Sequence, residues 1–176
     1  MKKVFLLSII TVFTLVFTSC SNDDDGAVSS ATEEEVVGTW NLTALEATDG
    51  RSDTTIEGTT IPATFKAVGK DFQTIVTFSE DPQVVTSEGS YTTVLSTTIA
   101  GENDTQEQEG EDFFASEKWR LDGSTLYFGS GEEEIGYTIV ELNDSKMSLR
   151  YELNETVESF FGTSTVSATY NMTLSK

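Results

Sequence analysis

The sequence predicts an all-β domain, an antiparallel barrel or sandwich of about eight to ten short strands. Three observations lead there. Apolar and polar residues alternate with period two over most of the chain beyond residue 36. Turn-forming residues fall between the alternating stretches, and there are only two Pro in 176 residues. No stretch of helical period longer than about two turns stands out.

The elements follow in chain order. Thr32-Glu33-Glu34-Glu35 sets Thr at an N-cap with Glu three residues on, a capping box that predicts one short helical turn. Val36-Val37-Gly38-Thr39-Trp40-Asn41-Leu42 opens the first strand. Ala63 to Lys70 reads as a short helix candidate. Phe72, Val76 and Phe78 share one strand face, with Gln73 and Thr77 opposite. Tyr91, Leu95 and Ile99 share a face in a Thr-rich strand. The six acids of Glu102 to Asp112 read as a solvated loop, as do Glu132-Glu133-Glu134.

Asp122-Gly123 lies between Trp119-Arg120-Leu121 and Thr125-Leu126-Tyr127-Phe128, the strongest short hairpin signal, which predicts a type I′ turn. Gly129-Ser130-Gly131 marks the next turn, and Asn143-Asp144-Ser145-Lys146 another hairpin. Ile135, Tyr137 and Ile139 alternate before Val140 and Leu142 take over, which predicts a bulge near Val140. Met147, Leu149, Tyr151 and Leu153 oppose Ser148, Arg150 and Glu152, so Arg150 points away from the apolar set. The last strand sets Val166, Ala168, Tyr170, Met172 and Leu174 against Ser167, Thr169, Asn171 and Thr173.

Composition excludes several functions. The net charge is −20, and removal of an export signal carrying Lys2 and Lys3 would make it −22. Such a chain repels phosphate backbones and anionic membrane surfaces, so no nucleic-acid partner is expected. There is no His, which removes Ser-His-Asp and Cys-His catalysis and His-ligated metals. The single Cys removes disulfides and thiolate clusters. The acids sit in runs that repel one another rather than in a desolvated pair, so glycosidase chemistry is not expected. No Asp-x-Asp-x-Asp-Gly loop marks a calcium site. No cofactor, metal or enzymatic activity is therefore expected.

Met1-Lys2-Lys3 is a positive n-region, and Val4 to Phe17 is a nearly unbroken apolar run of 14 residues. That run is too short to span a bilayer and suits a signal peptide over 1–19. It ends in Phe17-Thr18-Ser19-Cys20, which resembles the lipobox of bacterial lipoproteins, with Phe17 in place of the usual Leu or Val. The resemblance implies cleavage before Cys20, lipidation of its sulfur and anchoring by the attached acyl chains. Asp23, Asp24 and Asp25 follow in a run similar to the surface-export signal of Bacteroidetes-type lipoproteins. The implied location is the outer membrane, lipid-anchored and facing the exterior. Residues 20–34 then read as an acidic tether and 35–176 as the folded domain.

Gly38-Thr39-Trp40 at the head of the first strand, after a short helical turn, resembles the lipocalin and fatty-acid-binding-protein superfamily. Trp119-Arg120-Leu121 before Asp122-Gly123, Tyr137-Thr138-Ile139 before a polar hairpin, and Tyr170-Asn171-Met172-Thr173-Leu174 are similar to lipocalin-like domains of Bacteroidetes lipoproteins. The resemblance implies an up-and-down barrel whose entry Gly38 permits and whose closed end Trp40 covers. In secreted lipocalins an Arg of the last strand stacks on that Trp. Here the last strand has none, and Lys176 is the only basic residue near it.

Two functions follow from the resemblance. The barrel either holds a small hydrophobic ligand or is filled and serves as a structural or interaction module of the envelope. In the first case the inward set lines the site: Val76, Phe78, Tyr91, Leu95, Trp119, Tyr137, Leu149, Tyr151, Tyr170 and Met172. No basic residue faces inward on this register, so a neutral ligand suits the interior better than a free fatty acid. Phe160-Phe161 could form an apolar lip or cover one barrel end, and Asp53-Thr54-Thr55 resembles a Bacteroidetes O-glycosylation site at Thr54.

Overall fold

In the computed structural model, residues 30–111, 114, 116–131, 134–159 and 162–176 are described. The expectations for the signal, Cys20, Asp23, Asp24, Asp25 and Phe160-Phe161 lie outside them. One helical turn, α1 (Glu33–Val36), precedes eleven strands. These are β1 (Gly38–Ile56), β2 (Thr59–Lys70), β3 (Ile75–Glu80), β4 (Gln83–Glu88), β5 (Ser90–Ile99) and β6 (Glu102–Glu111). β7 (Glu117–Asp122), β8 (Thr125–Phe128), β9 (Ile135–Asn143), β10 (Lys146–Ser159) and β11 (Gly162–Ser175) complete them.

All pairings are antiparallel. The ring β1-β3-β4-β7-β8-β9-β10-β11 closes through β11–β1, an eight-stranded barrel with β2, β5 and β6 as additional strands. β1 explains the arrangement. Its first residues, Gly38 to Asn41, pair with β3, while Glu46 to Ile56 pair with β2. β2 and β3 are thus successive parts of one bent path, and so are β4 and β5. Gly89 makes the second bend. Its φ is +107°, and a Cβ there would lie 2.1 Å from the Gln73 carbonyl oxygen. Only Gly lets the two bends cross this closely.

The lower parts of these paths complete the barrel. The upper parts leave it as a six-stranded wing in the order β6-β5-β2-β1-β11-β10. Among the described residues β6 pairs only with β5, and beyond Arg150 β10 pairs only with β11. The wing therefore ends in two strand edges.

The core fills the lower end. Trp40, Leu42, Val76, Phe78, Val85, Trp119, Leu126, Phe128, Ile139, Leu149, Met172 and Leu174 are buried in one cluster. Phe78 meets Trp119 edge-on at 5.7 Å between centroids, an arrangement that adds to the area the two rings bury. Ser87 and Phe114 exchange hydrogen bonds, with Phe114 N–H donating to Ser87 Oγ at 2.6 Å, which holds Phe114 against Phe128.

Several local expectations hold. The Glu35 carboxylate accepts from Thr32 N–H at 2.9 Å, the bond a capping box requires, and also from Thr32 Oγ at 2.8 Å, and these bonds lower its pKa. Leu149 pairs with Ile139 and Ser148 with Glu141, so Val140 is the extra residue of a bulge. Asn143 Oδ1 accepts from the N–H groups of Ser145 and Lys146, which fixes that hairpin.

Three expectations are corrected. Ala63 to Lys70 is not helical but lies in β2. Ala and Lys favour helices locally, but pairing with β1 on one side and β5 on the other overrides that preference. Glu102 to Glu111 is a strand, not a loop, and its acids charge one edge of the wing, a common guard against edge-to-edge pairing. The β7–β8 hairpin has Gly123 and Ser124 as its loop, with positive φ at Gly123 alone, the pattern of type II′ rather than type I′. In addition, Glu134 is not simply solvated: it pairs with Arg120 at 2.9 and 2.6 Å, and the guanidinium lies 3.7 Å from the Tyr127 ring centroid.

Candidate functional site

The closed end is built on Trp40. The side chain is 0% exposed, its Nε1 donates to the Val36 carbonyl at 2.8 Å, and α1 thereby caps the barrel floor. Lys176 Nζ lies 4.4 Å from the Trp40 ring centroid. The cation on the Trp thus comes from the residue just after the last strand. Gly38, with φ +129°, passes beneath the same Lys side chain, where a Cβ would stand 3.7 Å from Lys176 Cε. Arg150 plays no part here; it is exposed and bonds Asn171 on the outer face.

Above the packed floor the aromatic rings continue upward. Phe128 meets Tyr137 at 5.4 Å, Tyr137 meets Tyr151 at 5.3 Å, and Tyr151 meets Tyr170 at 6.1 Å. Beside this ladder the interior opens. A cavity of about 250 Å³ lies among Leu45, Ala47, Ala67, Tyr137, Tyr170 and Met172, with Glu46, Gly69, Thr93 and Asn171 completing its wall. Its volume exists because the β1 and β2 side contributes Ala47 and Ala67, small residues opposite large rings, while the place of a side chain at Gly69 is taken by the Phe72 ring. Tyr170 also borders a second, more open space of about 550 Å³ along the wing, walled by Phe65, Leu95, Ile99 and Val166.

The residues expected to line the interior divide by height. Tyr137, Tyr170 and Met172 border the cavity, and Leu95 borders the open groove with Tyr170. Tyr151 stands in the ladder, while Tyr91 packs against the core and over Gly110. Val76, Phe78, Trp119 and Leu149 lie in the packed floor and are not among the residues bordering either space. Thr54 faces the groove, where its hydroxyl shares a 2.9 Å hydrogen bond with Ser164. The small wall residues carried no signal that sequence reading could use. Bulges after Leu42 and Thr48 break the period of β1 where Leu45 and Ala47 sit.

No Lys or Arg borders the cavity, and Glu46 is the one acidic residue at its wall. Among the described residues no three acidic or thiol groups converge to hold a metal. Burial holds the Tyr137 proton, helped by the fields of Tyr151, Tyr170 and Glu117, and pushes its pKa up to about 12. Burial raises the Tyr151 phenol as well, with Glu155 and Tyr170 adding to it.

An alkaline titration reads this directly. An unfolded Tyr loses its proton near pH 10, whereas folded Tyr137 keeps it to about 12. Its contribution is therefore intact below pH 10 and is lost as pH rises from 10 to 12. A loss of about 2–3 kcal/mol is expected across that window. Denaturant melts at a series of pH values should show this slope in the wild type and a shallower one in Tyr137→Phe. An identical slope in both would place the titrating group elsewhere.

No curated protein and no solved structure matches this chain. The lipocalin-like domain matches residues 36–149, from the capping turn through the β9–β10 bulge. Taken with a closed eight-stranded antiparallel barrel behind a short helix and a buried Trp on the first strand, that match places the chain in the lipocalin-like domain family.

Proposed function

We propose that the protein is a non-enzymatic binding protein that holds a small hydrophobic ligand in its barrel. The observation that carries this reading is the cavity between Ala47, Ala67 and the Tyr137–Tyr170 wall, mainly apolar, with Tyr170 also bordering the open groove. Ligand sites are concave and mainly apolar with a few placed polar groups. Phenol hydroxyls and Thr93 supply such groups here. A filled structural module would pack this space as tightly as the floor below it. Titration with an uncharged environment-sensitive dye such as N-phenylnaphthylamine tests the reading. Saturable emission at one dye per chain is expected; no saturable response would favour the structural module.

The chain is further proposed to be a lipoprotein, anchored in the outer membrane through Cys20 and displayed outward by Asp23, Asp24 and Asp25. The short apolar run ending at the only Cys supports the anchor. A Cys20→Ala form should leave the membrane fraction or keep its signal uncleaved. A processed Cys20→Ala form that stays in the membrane would refute the anchor.

A further inference from the structure

The wing has an apolar concave face and a polar convex one. Cross-strand partners share a face, so the registers sort its residues. Of the seven large hydrophobic residues exposed among those described, five stand on the concave side: Ile56 at 39%, Ile61 at 44%, Leu95 at 37%, Ile99 at 47% and Val157 at 53%. A monomeric surface seldom gathers its exposed apolar residues on one curved face without a ligand or partner to cover them.

Charge on the wing is sorted as sharply. The cations face outward: Arg51 pairs with Asp53, Lys70 with Glu107, Arg150 bonds Asn171, and Lys66 lies opposite Ser96 in the outward set. The concave side carries acids at both edges. On β6, Glu102 lies opposite Ile99 and Asp104 opposite Thr97, and Gln106 Nε2 donates to Asp104 Oδ2 at 2.8 Å. On β10, Glu155 lies opposite Val166. Among the described residues no Lys or Arg shares that face.

We infer that the groove along the wing takes a cationic amphiphile, a small molecule with an apolar body and a protonated amine. The body lies on Phe65, Leu95 and Ile99, and the amine reaches Asp104 and Glu102 at the β6 edge. The inference rests on the cavity below Tyr170 being a ligand site, since the groove borders the same Tyr170 ring. A carboxylate at the same place would meet only like charge. A second copy of the chain is disfavoured as the occupant, because two such faces would bring two acidic rims together.

The test uses the folded chain and three probes with one octyl body: octylamine, octanol and octanoate, each displacing the uncharged dye. At low ionic strength the ammonium should bind about tenfold more tightly than the carboxylate, and 0.5 M salt should reduce that ratio to about twofold. The overall net charge of −20 would also favour a cation, so local and global charge are separated by variants. A Glu102→Gln and Asp104→Asn double variant should lower the ratio about threefold or more. Glu109→Gln, on the convex side opposite Thr92, should leave it unchanged. An equal ratio in all three forms overturns the inference, as does tighter binding of octanoate. If octanol binds and octylamine shows no preference, the inference fails and the cavity reading stands. If the dye binds saturably but no octyl compound displaces it, the inference fails and the cavity reading stands; if the dye itself shows no saturable emission, both fail.

Discussion

Trp40→Ala should lower the stability of the domain by about 3–5 kcal/mol, the range for removing a buried aromatic side chain. For a chain of this size that corresponds to a fall of roughly 6–20 °C in Tm. Several losses coincide at this residue. The indole is wholly buried in the floor cluster, its N–H satisfies the Val36 carbonyl, and its ring carries the Lys176 ammonium. α1 would lose its tie to the barrel, and the Val36 carbonyl its partner. Lys176→Ala leaves the indole and its hydrogen bond in place, removes only the exposed side chain over the ring and should cost less, about 0.5–1 kcal/mol. Guanidinium melts of the two variants check both values. A Trp40→Ala domain melting within a degree or two of the wild type would show that the barrel is not closed through this residue.

Ala67→Phe should weaken binding of an uncharged apolar probe by about tenfold or more while the domain still folds. Ala67 is half-buried in β2 and borders the cavity beside Ala47 and Gly69. A ring there would occupy the space facing Tyr137 and Tyr170. Filling a cavity costs less than overpacking a dense core, so the loss of stability should stay at or below about 1–3 kcal/mol. Dye titration and a melt on the same preparation separate the two effects. Full binding with normal stability would mean that the probe sits outside the cavity.

The lower barrel was largely legible in the sequence. Period-two alternation in β10 and β11 put Leu149, Met172 and Leu174 inward, where they are buried. The change of phase at Val140 marked the bulge that the β9–β10 register contains. The wing was legible only in part: Tyr91, Leu95 and Ile99 read as one face of a Thr-rich strand, as β5 has them, whereas β2 and β6 did not read as strands. Its strands are rich in Thr, Gln and acids, because one of their faces meets water and the other is only partly covered. Ala63 to Lys70 looked helical because its composition is, and only pairing on both sides makes it a strand. The cavity was hidden for a different reason. Whether facing side chains fill a barrel depends on which small residues oppose which large ones across it. Here Ala47 and Ala67 oppose Tyr137 and Tyr170 through pairings that bulges shift. Lys176 stood out in the sequence as the only basic residue near the last strand, and its ammonium does lie over Trp40.

The account rests on the interior below Tyr170 being an occupied ligand site. A crystal grown with a bromine-labelled, uncharged aromatic probe tests this most directly, because bromine is located by its anomalous scattering. The account predicts a single strong bromine peak between Ala47, Ala67, Tyr137 and Tyr170, absent in Ala67→Phe crystals. Bromine found only on the outer faces of the barrel, with that space empty under saturating probe, would contradict it.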